Sequence, residues 1–287
     1  MQVIHTIEEL RARLATAKDE RQTIGLVPTM GYLHEGHLTL ASKAREENDI
    51  VVMSIFVNPT QFGPNEDFDA YPRDLPRDVE LAKTAGVDYI FAPSVEEMYP
   101  QDGGIRIHAG RQATILCGAS RPGHFDGVLQ VVAKLFNIVN PTHAYFGQKD
   151  AQQVAIIQTM VRDYNFPVIL RIVPIVREES GLAKSSRNVF LEEREKQQAS
   201  AIYQGLKQAK EAIEQGESVQ RAMEKASLWM TVQTGGTIDY LEALSYPDLM
   251  PITEETTQIL LAAAVKIGKP RLIDNILFNV KERVHHV

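Results

Sequence analysis

Short apolar runs alternate with stretches of helical periodicity over the first 176 residues of the chain. The runs are rich in Val and Ile, as expected of strands that are buried on both faces of a parallel sheet. We predict strands at residues 23–28, 50–58, 89–92, 144–146 and 168–176. Helices are predicted at residues 6–18, 36–47, 75–85, 127–137 and 151–164. This alternation predicts an α/β fold with a doubly wound parallel sheet, which binds ligands at the carboxyl ends of its strands.

The pattern changes after Val176. Residues 177–188 are polar and include Gly181, and we interpret them as a loop. Two long helices rich in Gln, Glu, Lys and Ala and three strands are predicted beyond it, at residues 192–215, 218–233, 238–243, 259–265 and 271–275. We therefore predict a Rossmann-like domain at residues 1–177 and a smaller C-terminal α+β lid domain at residues 178–287.

Composition narrows the class of protein. The chain has 287 residues, of which 44% are apolar and 23% charged, as in globular domains. No apolar run reaches the roughly 18–20 residues that a membrane helix needs, and the N-terminus lacks the pattern of a signal peptide. We expect no membrane association and a cytoplasmic location, with which the single cysteine, Cys117, agrees. The net charge of -7 argues against nucleic-acid binding but leaves room for a local anion site.

The strongest local motif comes directly after the first predicted strand and reads Pro28-Thr29-Met30-Gly31-Tyr32-Leu33-His34-Glu35-Gly36-His37. Gly31 permits a tight turn. His34 and His37 share one helical face if the helix begins near Leu33. Two imidazoles, free backbone N–H groups and the positive end of a helix would together suit a nucleotide phosphate. Taken alone, the pair also fits a metal site or two capped surface histidines.

A second motif, Lys184-Ser185-Ser186-Arg187-Asn188, lies in the loop after the last strand of the first domain. Cationic side chains that flank hydroxyl groups can hold a polyphosphate, although such a loop alone also fits a solvated basic surface. Together the two motifs resemble the nucleotidylyltransferase superfamily, whose arrangement class I aminoacyl-tRNA synthetases share. These enzymes act on the α-phosphate of ATP and release pyrophosphate. Neither motif matches a P-loop.

Five further segments narrow the resemblance to the pantothenate synthetase family. They occur in order along nearly the whole chain: Phe56-Val57-Asn58-Pro59-Thr60-Gln61-Phe62-Gly63, Asp69-Ala70-Tyr71-Pro72-Arg73, Phe146-Gly147-Gln148-Lys149-Asp150 with Gln153, Leu182-Ala183-Lys184-Ser185-Ser186-Arg187-Asn188, and Arg271-Leu272-Ile273-Asp274-Asn275. In this family the carboxylate of (R)-pantoate attacks the α-phosphate of ATP, which gives pantoyl adenylate and pyrophosphate. The amine of β-alanine then attacks the adenylate, giving pantothenate and AMP. The resemblance also implies magnesium with the ATP and a homodimer.

The resemblance implies roles for individual residues. Residues that would bind ATP are Met30, Gly31, Tyr32, Leu33, His34, Glu35, Gly36, His37, Gly147, Gln148, Lys149, Asp150, Val176, Lys184, Ser185, Ser186 and Arg187. Among these, His34, His37, Lys149 and Lys184 would act in catalysis, chiefly by stabilising charge on the phosphates. Gln61 and Gln153 would bind pantoate, and Gln61 would also contact β-alanine, because an amide offers donors and an acceptor without charge.

The metal, a lid and the substrate stay open at this point. Asp78 is the nearest candidate for a magnesium ligand, but no protein ligand is assigned, since magnesium commonly keeps water and substrate oxygens. Residues 58–76 form a long loop rich in Pro and Gly, and residues 64–76 are predicted to close as a lid that protects the adenylate from water. The alternative function is a nucleotidylyltransferase that acts on another small acid or on a phosphate. Asn58 and Gln61 favour the ligase, because a phosphate substrate would call for a more basic pocket.

Overall fold

Contacts between Cα atoms divide the chain into two compact units. The N-terminal unit consists of Met1–Gln148 and Ile156–Pro174, and the C-terminal unit consists of Lys149–Ala155 and the chain from Ile175 onward. The structure is a computed structural model that describes residues 1–64, 66, 68–101 and 103–280, apart from the side chain of Lys18. The predicted division into a Rossmann-like domain that ends at residue 177 and a lid domain that begins at residue 178 stays a prediction.

A six-stranded parallel sheet forms the centre of the N-terminal unit. Its strands are β1 (Gln2–Ile4), β2 (Ile24–Thr29), β3 (Ile50–Ile55), β4 (Tyr89–Phe91), β5 (His143–Gly147) and β6 (Ile169–Val173). They lie in the order β1-β4-β3-β2-β5-β6, and neighbouring strands are parallel. The central strands are almost continuously apolar because both of their faces are covered. This sheet confirms the predicted doubly wound α/β fold.

Helices connect these strands: α1 (Ile7–Asp19), α2 (Glu35–Glu47), α3 (Leu75–Thr84), α4 (Val95–Met98), α5 (Cys117–Ser120), α6 (His124–Val139) and α7 (Ala151–Asp163). Within the sheet, β3 is the neighbour of β2 on one edge and β5 is its neighbour on the other edge, followed by β6. The order of the strands therefore reverses between β2 and β5. Ligands of such sheets bind at this point, outside the carboxyl ends of the strands. Thr29 and Gly147 are the residues at which β2 and β5 end.

Several predicted boundaries are wrong. The strand predicted at residues 50–58 ends at Ile55, because Asn58 caps a 3-10 turn at Pro59–Gln61. The strand predicted at residues 168–176 ends at Val173, just before a proline. Helix α6 begins at His124 rather than at residue 127, because its N-cap is Gly123 in the left-handed region, with no capping side chain to announce the start.

The C-terminal unit packs two helices with a three-stranded antiparallel sheet. Its helices are α8 (Glu193–Glu214) and α9 (Val219–Thr234), and its strands are β7 (Thr237–Ser245), β8 (Gln258–Lys266) and β9 (Arg271–Asn279), in the order β7-β8-β9. Leu206 of α8, Met230 of α9 and Leu261 of β8 are fully buried in its core. This unit confirms the predicted smaller α+β part. Within the described residues, no helix combines the length and the apolar character needed to span a membrane.

A polar network joins the carboxyl end of α2 to β5 and β6. Asn48 Nδ2 donates to Tyr145 Oη at 2.8 Å, and Tyr145 Oη donates to Glu47 Oε2 at 2.9 Å. Arg171 Nε donates to the same carboxylate oxygen at 2.8 Å. The Arg171 guanidinium, assisted by the Tyr145 hydroxyl, lowers the pKa of Glu47 below its ordinary value. The network therefore fixes the carboxyl end of α2, whereas the histidine motif lies at its amino end.

We expect Glu47→Gln to lower the free energy of unfolding at pH 7 by about 1.5–3 kcal/mol, the scale of a hydrogen bond to a charged group. Because the pKa of Glu47 is lowered in the folded protein, its contribution is complete above the unfolded pKa of about 4.3 and disappears as the pH falls through the folded pKa. Denaturant unfolding of both proteins as a function of pH measures this difference. Glu46→Gln, which affects an exposed pair with Lys43, is the control and should leave stability unchanged. A loss for Glu47→Gln that is the same at acid and neutral pH would contradict the expectation.

Candidate active site

A buried carboxylate folds the turn between β2 and α2. Tyr32 N donates to Asp78 Oδ2 at 2.7 Å, and Leu33 N donates to Asp78 Oδ1 at 2.7 Å. Gly31 and Tyr32 have φ angles of 82° and 50°, both in the left-handed region. For a residue with a side chain this conformation costs about 1–2 kcal/mol. The two hydrogen bonds therefore stabilise a backbone conformation of Tyr32 that residues with side chains rarely adopt. The positive φ at Gly31 confirms the predicted tight turn.

The same contacts define what Asp78 does. Its side chain is only 1% exposed, and each oxygen accepts a backbone N–H group. Burial raises the pKa of Asp78, and the hydrogen bonds from Leu33 and Tyr32 act in the opposite direction. The described residues include no group of three or more His, Cys, Asp or Glu side chains that could hold a metal ion. The two hydrogen bonds of Asp78 therefore serve the backbone of the turn, and Arg77 Nη1 lies 3.6 Å from its Oδ1.

The two histidines cap the start of α2 with their own rings. Gly36 N donates to His34 Nδ1 at 3.1 Å, and His34 N donates to His37 Nδ1 at 3.4 Å. The helix begins at Glu35 with His34 as its N-cap, one residue before the predicted start at residue 36. The N–H of Gly36 is also not available to a phosphate, contrary to the expectation of free backbone donors. The imidazoles nevertheless lie together, with ring centroids 4.1 Å apart.

This capping determines where each neutral imidazole carries its proton. A backbone N–H can only donate, so Nδ1 of His34 and Nδ1 of His37 must accept, and the ring proton is on Nε2. Gly36 is required for the arrangement, because a Cβ there would lie 2.9 Å from His34 Cε1. The spacing of the motif thus gives two imidazoles whose Nε2–H groups are hydrogen-bond donors.

Gln61 lies beside the histidine motif and is held by its neighbours. Its side-chain Nε2 lies 3.2 Å from Met30 Sδ, and Asn58 Nδ2 donates to Gln61 Oε1 at 3.1 Å. Asn58 is fixed in turn by Tyr99 Oη, which donates to its Oδ1 at 2.9 Å. Gln61 is buried, with 8% of its surface exposed. The structure therefore brings together a predicted ATP-binding residue and the predicted pantoate-binding glutamine.

Arg121 and His124, which belong to none of the predicted motifs, hold the main chain of Gln61. His124 Nδ1 donates to Gln61 O at 2.8 Å, and Arg121 Nη1 donates to His124 Nε2 at 3.0 Å. Arg121 also forms a two-pronged ion pair with Glu66, at 2.7 and 2.6 Å, which lowers the pKa of that carboxyl. At Gly127 a Cβ would lie only 2.2 Å from the carbonyl oxygen of Thr60. The sequence Arg121-Pro122-Gly123-His124, which leads into α6, was the available signal for this support.

The described part of the predicted lid forms an aromatic cluster with Phe62, which precedes the lid in sequence. The rings of Phe62 and Phe68 lie 5.4 Å apart, and the ring of Phe62 lies 6.1 Å from that of Tyr71. Arg73 donates to the carbonyl oxygens of Phe68 and Tyr71, at 2.9 Å each. Asn65 and Asp67, which belong to the predicted lid at residues 64–76, lie outside the described residues. Closure of this segment stays a prediction.

The C-terminal unit carries the remaining predicted residues. Lys149 Nζ lies 3.8 Å from Asp150 Oδ1, and the Lys149 side chain is 20% exposed. The backbone N–H of Lys184 donates to Val176 O at 2.9 Å. Ser185 caps a 3-10 turn at Ser186–Phe190 through Arg187 N, at 3.3 Å. Lys184, Ser186 and Arg187 are half-buried, so this segment is a folded turn rather than a solvated basic loop.

The predicted site residues thus fall into two groups. Met30, Gly31, Tyr32, Leu33, His34, Glu35, Gly36, His37, Gln61, Gly147 and Gln148 belong to the N-terminal unit. Lys149, Asp150, Gln153, Val176, Lys184, Ser185, Ser186 and Arg187 belong to the C-terminal unit. The pairing of Gln61 with Gln153 and of the histidines with the lysines stays a prediction.

Comparison with known proteins identifies the family. Residues 2–277 match the family model described as pantoate-beta-alanine ligase. The chain belongs to the pantoate-beta-alanine ligase family. This match confirms the resemblance found in the sequence motifs.

Individual relatives agree with this family. A pantothenate synthetase of Lysinibacillus sphaericus is 69% identical over 282 residues, which cover 98% of this chain and 99% of that protein. The crystal structure of pantothenate synthetase from Thermus thermophilus has a TM-score of 0.91 and 46% identity, and the match covers 96% of this chain and 99% of that one. The pantoate-beta-alanine ligase from Francisella tularensis, complexed with beta-gamma ATP and beta-alanine, has a TM-score of 0.79 and 38% identity, with 96% and 97% covered.

We expect Asp78→Asn to release the turn after β2. The amide places a donor against one of the two N–H groups, which leaves a buried group unsatisfied and costs about 1–3 kcal/mol. Hydrogen exchange at the amides of Tyr32 and Leu33 should accelerate, and the free energy of unfolding should fall. Asp74→Asn is the matched control, since Asp74 caps α3 by accepting from Arg77 N at 3.1 Å and Asn caps equally well. Unchanged exchange at both amides in Asp78→Asn would contradict this role.

Proposed function

We propose that the chain joins pantoate to β-alanine in two steps, with ATP as co-substrate. In the first step the pantoate carboxylate attacks the α-phosphorus of ATP and pyrophosphate leaves. In the second step the amine of β-alanine attacks the acyl carbon of pantoyl adenylate and AMP leaves, giving pantothenate. The observation that carries this proposal is the buried amide of Gln61 against Met30, a residue of the motif that also carries the paired imidazoles. The ATP and beta-alanine complex of the Francisella tularensis relative supports the choice of substrates.

The histidines act on the phosphates as donors. His34 and His37 present Nε2–H groups while their Nδ1 atoms cap the helix, so neither needs to give up its proton to bind a phosphate oxygen. Their task is to stabilise charge that develops on the phosphates, since an attacking carboxylate has no proton to lose. The other proposed ATP-binding residues are Met30, Gly31, Tyr32, Leu33, Glu35, Gly36, Gly147, Gln148, Lys149, Asp150, Val176, Lys184, Ser185, Ser186 and Arg187. Magnesium enters as part of the MgATP substrate, held by phosphate oxygens and water.

The amide of Gln61 recognises the small acids. Asn58 donates to Gln61 Oε1, which fixes the orientation of the amide. One hydrogen of its NH₂ group points to Met30 Sδ, and the second is the donor toward the substrate. Gln153 supplies the second pantoate contact, and Gln61 also contacts β-alanine. Neutral amides orient the pantoate carboxylate without the strong positive charge that would weaken it as a nucleophile. A phosphate substrate would instead call for cationic groups at this position, which favours the ligase over a nucleotidylyltransferase that uses another substrate.

The assembly and location are also proposals. Strand β6 is an edge strand of the parallel sheet, and Ile169 on it is 50% exposed. Tyr164, just before β6, is 67% exposed. Exposed edge strands are templates for pairing with another chain, which supports a homodimer formed through this edge. The single cysteine and the biosynthetic family support a cytoplasmic location.

Exchange of pyrophosphate into ATP tests the first step. The exchange should require pantoate, because pyrophosphate can only re-form ATP from pantoyl adenylate. Lys149→Ala and Lys184→Ala should each slow it by about 10²–10³, the scale for loss of one charge-stabilising donor. Lys207→Ala, which affects a helix-surface pair with Glu211, is the control and should leave the rate unchanged.

Exchange that proceeds without pantoate, or that responds equally to other small acids, would contradict the proposed substrate. Addition of β-alanine should convert the adenylate to pantothenate and AMP, which chromatography measures directly. Formation of AMP without pantothenate would contradict the second step.

A further inference from the structure

Strand β9 of the C-terminal unit carries a buried carboxylate and a buried amide side by side. Asp274 and Asn275 are 4% and 3% exposed. Asp274 receives the guanidinium of Arg177 in a two-pronged pair, with Nη1–Oδ2 at 2.6 Å and Nη2–Oδ1 at 2.9 Å. Asn275 Nδ2 donates to the carbonyl oxygen of Lys149 at 2.9 Å. Two consecutive residues of one strand therefore hold two segments that are remote from each other in sequence.

Arg177 connects Asp274 to the segment that ends in Lys184. Its Nη1 also donates to Gly181 O at 3.0 Å, inside the turn of this segment. Arg177 pairs with Ala183 in an isolated antiparallel bridge, and Lys184 N donates to the carbonyl oxygen of the residue before Arg177 at 2.9 Å. The segment is thus a small hairpin whose first strand is attached to Asp274 and whose second strand leads into Lys184.

We propose that Asp274 and Asn275 are positioning residues that set the main chain of the two phosphate-binding lysines, Lys149 and Lys184. Asn275 fixes Lys149 directly, and Asp274 fixes Lys184 through Arg177. The sequence places these lysines in different predicted domains, yet both are attached to adjacent residues of one strand. The cationic side chains that bind a polyphosphate must lie at a set separation from each other. A strand holds that separation better than two independent loops do. This inference rests on the proposed role of both lysines in ATP binding.

The chemistry of the pair favours a geometric role over a purely stabilising one. Buried ion pairs stabilise a fold no better than well-packed apolar residues, because both charges lose their water. Burial raises the pKa of Asp274, whereas the charges of Arg177 and Lys149 act in the opposite direction.

The same strand carries a second, more exposed Arg–Asp pair that serves as a control. Arg271 of β9 forms a two-pronged contact with Asp239 of β7, with Nε and Nη2 at 2.8 and 2.6 Å from Oδ2. The Arg271 guanidinium lies over the ring of Tyr240 at 5.3 Å, as that of Arg177 lies over Tyr203 at 3.6 Å. This second pair joins β9 to β7 rather than to either lysine segment. Asp239→Asn thus removes an Arg–Asp pair from the same sheet without touching the proposed support.

Calorimetric affinity for ATP alone tests the inference, without reference to pantoate. Asn275→Ala should weaken ATP binding about tenfold in the otherwise unchanged protein and less than about twofold in a Lys149→Ala background, because the lysine it positions is then absent. Asp274→Asn should show the same dependence on Lys184→Ala. Asp239→Asn should leave the affinity unchanged in every background.

A loss that is equal with and without Lys149 would overturn the proposal, since Asn275 would then act on the fold as a whole. Unchanged ATP affinity in Asn275→Ala would also overturn it. Asn275→Ala leaves the Arg177–Asp274 pair intact, so it provides the test even where Asp274→Asn does not fold. Failure of pantoate-dependent exchange in the unaltered protein would count against the proposed substrate. The affinities for ATP alone test the positioning role of Asp274 and Asn275 independently of that result.

Discussion

The turn after β2 follows a backbone path that residues with side chains rarely adopt, and the buried carboxylate of Asp78 holds it there through Tyr32 N and Leu33 N. Everything at the start of α2 follows from that contact. The turn delivers His34 to the N-cap position, where its ring accepts the N–H of Gly36. The cap then decides which imidazole nitrogen carries the proton, and hence what the site can donate to a phosphate.

A backbone partner also determines which ring nitrogen of His124, in the same N-terminal unit, carries the proton. His124 donates from Nδ1 to the carbonyl oxygen of Gln61, so its Nε2 must accept from Arg121. This is the opposite tautomer to that of His34 and His37. One ring supports the glutamine that is proposed to bind pantoate, and the other two are proposed to bind ATP. The difference comes from whether a ring faces a backbone N–H or a backbone C=O.

Local patterns in the sequence predict what is local in the structure. The parallel sheet, the helices between its strands and the position of the histidine motif after β2 follow from periodicity and from the turn residue Gly31. The adjacency of Gln61 and Met30 is consistent with the family resemblance. The resemblance could not show how these residues are held. Asp78 acts 46 positions from Tyr32 and Asp274 acts 97 positions from Arg177, and no pattern within a strand or helix encodes such contacts.

Nitrogen-15 NMR of the His34 and His37 rings shows which nitrogen of each ring carries the proton. The spectra are recorded at a pH of about 8, well above the ordinary imidazole pKa of about 6.5. Single His→Gln variants assign their signals among the eight histidines of the chain. The capped turn predicts that both rings carry the proton on Nε2, with Nδ1 unprotonated, and that Asp78→Asn disturbs this state. A proton on Nδ1 of either ring would contradict the account, because that nitrogen could not then accept the backbone N–H.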